Sequence, residues 1–90
     1  MRTLGVDLGD VRIGLALSDP GGRVATPLET LPVEDPDDVE GIVLSLADAA
    51  RRHGAEMVVV GLPRSLAGEE KEAAQRARHV AQRVQQVSGL

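Results

Sequence analysis

The sequence predicts an α/β domain with the element order βββαβα. Three observations carry that prediction. Two period-2 runs lie close together near the start, a β-branched run occupies 57–60, and apolar residues recur at helical spacing on either side of that run. Ninety residues suit one domain, since ~100–200 residues per domain is typical. There is no Phe, Trp or Tyr, so the core must be aliphatic, supplied by Val (12), Leu (11) and Ala (11).

Residues 2–9 alternate, with Leu4, Val6 and Leu8 on one face and Thr3, Gly5, Asp7 and Gly9 on the other. After a short connection at 9–12, Ile13, Leu15 and Leu17 alternate with Gly14, Ala16 and Ser18. Short linkage and matching alternation predict a β-hairpin. Pro20-Gly21-Gly22 marks a turn, and 23–31 reads as a third strand. Pro27 assigns that strand to a sheet edge, because proline cannot donate to a ladder. Asp35 then serves as a helix N-cap, Pro36 suits the first helical position, and Asp37 and Asp38 favour the positive end of the dipole. Val39, Ile42, Val43, Leu46 and Ala50 form the helical stripe, and Gly54 ends it. Met57–Val60 leading into Gly61-Leu62-Pro63 predicts a strand buried on both faces in the middle of the sheet. Glu69 to Val87 reads as a second helix with Ala73, Ala77, Val80, Ala81, Val84 and Val87 inward. Helices are thus available for both faces of the sheet. An αβ unit normally returns to its sheet, so a fifth strand is expected after Gly89. Residues 1–90 read as the N-terminal portion of one domain that lacks its last strand and helix.

Composition removes several functions. Without Cys there is no disulfide scaffold, thiolate metal site or Cys nucleophile. Without aromatics there is no base-stacking platform. No apolar run approaches a membrane span and no signal-peptide pattern opens the chain, so the cytoplasm is the expected compartment and no membrane partner is expected. A net charge of −4 argues against a generic polyanion binder, yet leaves room for an enzyme that grips a few phosphates. Nine of the ten basic residues are Arg, which suits bidentate phosphate contact but also fits codon bias.

Asp7 is the leading candidate for chemistry. Asp is depleted in strands, and here it lies among Gly5, Gly9, Gly14 and Ala16, where small side chains permit close approach of a ligand. The alternative is a strand-end turn former. Asp10 and Asp19 read as turn residues. The loop Gly61–Gly68 is the second candidate: it leaves a central strand and precedes a helix, where open α/β sheets place ligands. Arg64 and Ser65 could touch a phosphate there, beside the N–H groups of the helix. The plain alternative is a strand–helix loop that Pro63 begins. Arg12 could steer a phosphate near Asp7 or be a solvated loop residue. Arg76 and Arg83 share one side of the second helix, read mainly as a solvated face. His53 and His79 lack a ligand partner at useful spacing.

Two stretches carry a family resemblance. The run from Asp7 through Gly9, Gly14 and Ala16 to Asp19 resembles the first hairpin of the YqgF/RuvX family, and the resemblance continues through Ala25–Thr30. It recurs in Val58-Val59-Val60-Gly61-Leu62-Pro63-Arg64-Ser65-Leu66-Ala67-Gly68-Glu69 and spans the whole chain. That family is described for Holliday junction resolution or pre-16S rRNA processing, and its fold is RNase H-like, a mixed five-stranded sheet with helices on both faces. The resemblance implies phosphodiester hydrolysis with Mg²⁺ or Mn²⁺ held by oxygen ligands, acting on RNA or branched DNA. Asp7 matches the family's first-strand metal ligand. Arg12, Arg64 and Ser65 become candidate phosphate contacts, and Gly9, Gly14, Gly61 and Gly68 candidate points of close backbone approach. The family's remaining acids, an Asp-Glu-Arg motif near the fifth strand and an Asp on the last helix, have no counterpart in these 90 residues. Relatives often carry an apolar residue and Asn at positions 64 and 65, and Thr at position 10. A monomer or weak homodimer is expected. Two other readings stay open: a non-catalytic fragment or interaction module, and an actin-like nucleotide-binding module, which Asp7-Leu8-Gly9 also resembles.

Overall fold

The computed structural model describes residues 2–18, 25–61 and 71–90. Its elements are β1 (Thr3–Leu8), β2 (Arg12–Ser18), β3 (Ala25–Pro32), α1 (Val39–Arg52), β4 (Met57–Val60) and α2 (Lys71–Ser88). The four strands form one mixed sheet in the order β3-β2-β1-β4. β1 and β2 are the expected antiparallel hairpin, with Asp7 opposite Gly14 and Gly5 opposite Ala16. β4 joins β1 in parallel, Gly5 opposite Val59. β3 is the edge strand that Pro27 predicts, and an irregularity between Leu15 and Ala16 places Pro27 opposite Ala16.

Alternation sets the core. Leu4, Val6, Ile13 and Leu15 are buried, and all point to one face of the sheet. Ile42, Val43, Leu46, Ala49 and Ala50 of α1 cover them together with Val80 and Val84 of α2. Fully burying a Leu, Ile or Val side chain stabilises by about 1.5–3 kcal/mol, so this single aliphatic layer holds the fold. Arg83 of α2 ties the two helices further: its Nε and Nη2 donate to the Glu40 carboxylate, Nη2 at 2.6 Å.

The fold class stands as predicted, but several local expectations change. Both helices pack on the same sheet face, and among the described residues nothing covers the other. β4 is consequently not buried on both faces: Met57 is 43% and Val59 50% exposed. It also lies at the edge rather than the middle of the four strands. The cap of α1 is Asp38, whose carboxylate accepts from Gly41 N at 3.1 Å, not Asp35. Asp35 instead accepts from Asp37 N at 2.9 Å and closes a turn, so Pro36 precedes the helix rather than opening it. A Cβ at Gly41 would meet the Asp38 carboxylate, so a larger residue there would displace the cap. Gly54 ends the helical region at φ +65°, as its position predicts. In α2 the inward stripe narrows to Ala77, Val80 and Val84; Ala73 and Val87 are exposed. Residues 69 and 70, expected in this helix, and the turn at Pro20-Gly21-Gly22 lie outside the described residues.

Two outcomes are expected. Leu46→Ala, at a side chain with no exposure, lowers unfolding free energy by about 2–5 kcal/mol in urea titration. Leu44→Ala, on the solvent side of the same helix, changes it by no more than about 0.5 kcal/mol. The hydrogen bond from Arg83 holds the Glu40 carboxyl below its ordinary value. A depressed carboxyl contributes stability above the ordinary carboxylate range and loses it as pH falls through the lowered folded value. Arg83→Gln therefore lowers the melting temperature at pH 7, and the two melting curves converge by about pH 2–3.

Candidate nucleic-acid site

The sheet face away from the helices is lined by small residues. Along β1 and β2 it presents Gly5, Asp7, Gly14 and Ala16, the polar half of the same alternation that builds the core. The result is an open groove of about 710 Å³. Its floor is a cross-strand row of Val59, Gly5, Ala16 and Pro27. A second row, Asp7, Gly14 and Thr30, crosses its upper end. Gly61 closes the β4 side, held by its N–H to Val6 O at 3.0 Å.

Asp7 is the one carboxylate whose side chain this face carries among the described residues. It is exposed and sits within β1, so the turn-former alternative does not describe it. The turn is closed instead by Gly9 N donating to Arg12 O at 3.1 Å. Glu29 also borders the groove, but stands opposite buried Leu15 and turns toward α1, where Arg52 Nη2 donates to it at 3.0 Å. Arg52 in turn donates to Asp48 at 2.8 Å, and the hydrogen bond from Arg51, with that from Arg52, holds the Asp48 carboxyl below its usual range. Asp10, read as a turn residue, pairs with Arg76 of α2 at 3.1 Å. No group of three or more acidic or histidine ligands occurs among the described residues. Asp7 is the hard oxygen donor a Mg²⁺-type cation uses, but one carboxylate does not hold such an ion. The described residues alone therefore do not complete a metal centre.

The predicted site residues divide accordingly. Asp7, Gly14 and Gly61 come together in the groove. A Cβ at Gly14 would lie 3.7 Å from that of Asp7, an ordinary contact, so glycine there leaves space rather than relieving a clash. Gly9 has a purely local reason: a Cβ would lie 2.5 Å from Arg12 O. Arg12 opens β2 beside that turn with an exposed side chain. Arg64, Ser65 and Gly68 lie outside the described residues, as does Asp19. Thr30 was not anticipated; its signal was the Thr-Leu alternation at 30–31, which puts its hydroxyl across Gly14 from Asp7. The solvated-face reading of Arg76 and Arg83 is corrected: their side chains are 19% and 33% exposed, and each reaches a carboxylate outside α2.

A family model described as "RuvX: Holliday junction resolvase" matches residues 1–90. The chain belongs to the RuvX family. Two curated RuvX-type relatives bear the name "Putative pre-16S rRNA nuclease". That of Nocardia farcinica is 44% identical over 86 residues, covering 92% of this chain and 48% of its own length. That of Corynebacterium diphtheriae is 46% identical over 89 residues, covering 92% and 50%. The chain thus spans about half the length of the curated relatives it matches. Among solved structures, RuvC of T. thermophilus, determined with a Holliday junction substrate, superimposes with a TM-score of 0.68 at 19% identity, covering all of this chain and 60% of RuvC. That likeness establishes the RNase H-like fold of this RuvX member.

Gly14→Val is expected to keep the fold, since its Cβ meets no clash and a β-branched residue suits a strand. Gly9→Ala is expected to lower unfolding free energy by about 1–3 kcal/mol, because backbone must move. Thermal melts of the two variants distinguish a groove-opening glycine from a turn-closing one.

Proposed function

We propose that this protein is a nuclease of the RuvX family that hydrolyses phosphodiester bonds in structured nucleic acid. The observation that carries this reading is Asp7, a lone carboxylate on a central strand, facing an open groove whose other β1 and β2 positions are Gly5, Gly14 and Ala16. Small residues let a sugar–phosphate backbone approach the carboxylate closely. No aromatic or base-reading set lines the groove, so recognition is by backbone and shape. Arg12, at the mouth of the β1–β2 turn, contacts phosphate, as do Arg64 and Ser65. Hydrolysis depends on Mg²⁺ or Mn²⁺, with Asp7 as one oxygen ligand and the rest supplied from outside the described residues. The substrate is pre-16S rRNA or a branched DNA junction, and the protein works in the cytoplasm as a monomer or weak homodimer. No described helix is long and apolar enough to cross a membrane, which fits that reading.

The lone carboxylate also supports a second reading for these 90 residues by themselves: a nucleic-acid-binding half without turnover. The two readings separate cleanly. In the intact protein with Mn²⁺, Asp7→Asn is expected to cut cleavage of a labelled RNA precursor or four-way DNA junction by more than about 100-fold. Its melting temperature and its binding in EDTA remain close to wild type. Undiminished turnover by the purified variant overturns the role of Asp7. Metal-dependent cleavage by residues 1–90 alone overturns the binding-half reading.

A further inference from the structure

We propose that Arg76 is a phosphodiester-binding residue and that the Asp10 carboxylate holds its place in the free protein. The inference rests on the nucleic-acid reading above. Arg76 lies on α2 and reaches the β1–β2 turn, three residues beyond Asp7, where its Nη1 donates to Asp10 Oδ1 at 3.1 Å. The pair is lopsided. The Arg76 side chain is 19% exposed, whereas that of Asp10 is 86% exposed. Arg76 is therefore anchored on α2 with its side chain largely covered, whereas its partner stands in solvent.

The guanidinium is also under-used. Its Nε and Nη2 are buried and find no acceptor among the described residues. Buried polar atoms are nearly always hydrogen-bonded, and an unmet donor on a charged group is costly. A guanidinium offers a planar fork that fits two oxygens of one anion. Asp10 engages it through a single oxygen at one nitrogen. A phosphodiester presents two non-bridging oxygens, and could take up the fork once Asp10 withdraws and the guanidinium turns outward. Arg76 stands on the helix side of the sheet and reaches the β1–β2 turn that follows Asp7, so a backbone leaving the groove over that turn would meet it.

The ligand chemistry is common to RNA and DNA backbones, and the test uses both. Binding of a fluorescein-labelled RNA duplex and a four-way DNA junction to the intact protein is read by anisotropy in EDTA. No turnover is involved, so this test and that of Asp7 fail independently. Asp10→Asn is expected to tighten binding about five- to tenfold, and Arg76→Gln to weaken it by a similar factor. In the Arg76→Gln background Asp10→Asn gives no gain. Arg76→Lys, which keeps the charge without the fork, serves the same arm if Arg76→Gln does not fold. A gain confined to one probe assigns the site to that nucleic acid. Unchanged or weaker binding by Asp10→Asn makes the pair a structural clamp and overturns the proposal. So does a gain that persists without Arg76, which would report only the loss of a negative charge.

Discussion

Everything in this structure depends on the alternation of β1. That strand is hydrogen-bonded on both sides, antiparallel to β2 and parallel to β4, so its register is fixed by two neighbours at once. Leu4 and Val6 point into the helix-covered layer and are at most 4% exposed. Side chains in a strand repeat every two residues, so a slip by one would expose both and drive Asp7 into the aliphatic core. The first change forfeits about 1.5–3 kcal/mol per side chain. The second would bury an unpaired carboxylate, which costs more. The aliphatic residues therefore place Asp7 on the open face without any contact made by Asp7 itself.

The same economy explains the groove. A core made only of Val, Leu, Ile and Ala is thin, and one helical layer suffices to cover it. The opposite face of the hairpin carries Gly and Ala, which offer little apolar area for a second layer to bury. The exceptions are Met57 and Val59 on β4, exposed at 43% and 50%. They lie at the sheet edge, beside the row that forms the groove floor. The face is thus polar-poor and shallow at Asp7, and apolar toward β4.

Much of this was legible in the sequence, and the failures share one cause. The hairpin, the edge position of β3 and the buried stripe of α1 follow from period and from Pro27, all local signals. The cap of α1 is ambiguous in sequence because Asp35-Pro36-Asp37-Asp38 offers two equivalent starts, and only the Asx turn at Asp35 chooses between them. The apparent burial of 57–60 came from β-branched composition, which cannot report whether a second layer exists. Amphipathic stripes on α1 and α2 show which side of each helix is inward, but not which sheet face it meets. The Arg76–Asp10 contact joins residues 66 positions apart and has no local signature. Of the site, Asp7, Gly14 and Gly61 were readable from pattern; Thr30 required the pairing of β3 with β2.

Arg76 and Arg83 sharpen the distinction between a strut and a binding group. They are seven residues apart on one side of α2, and each crosses to a carboxylate on another element. Arg83 is saturated: Nε and Nη2 engage Glu40, and Nη1 donates to Gln86. Its partner stands on α1, whose core packing fixes it. A guanidinium with every nitrogen occupied, joining two packed helices, has the geometry of a strut. Arg76 differs on each count. It is the more buried of the two, its partner is a nearly free turn residue, and two of its nitrogens lack acceptors among the described residues. If Arg76 served only to tie α2 to the turn, the fold would have had the same means that it uses at Arg83 to satisfy it. Its donors without acceptors among the described residues, at the turn that follows β1, are what set it apart from that strut and motivate a role in binding an anion.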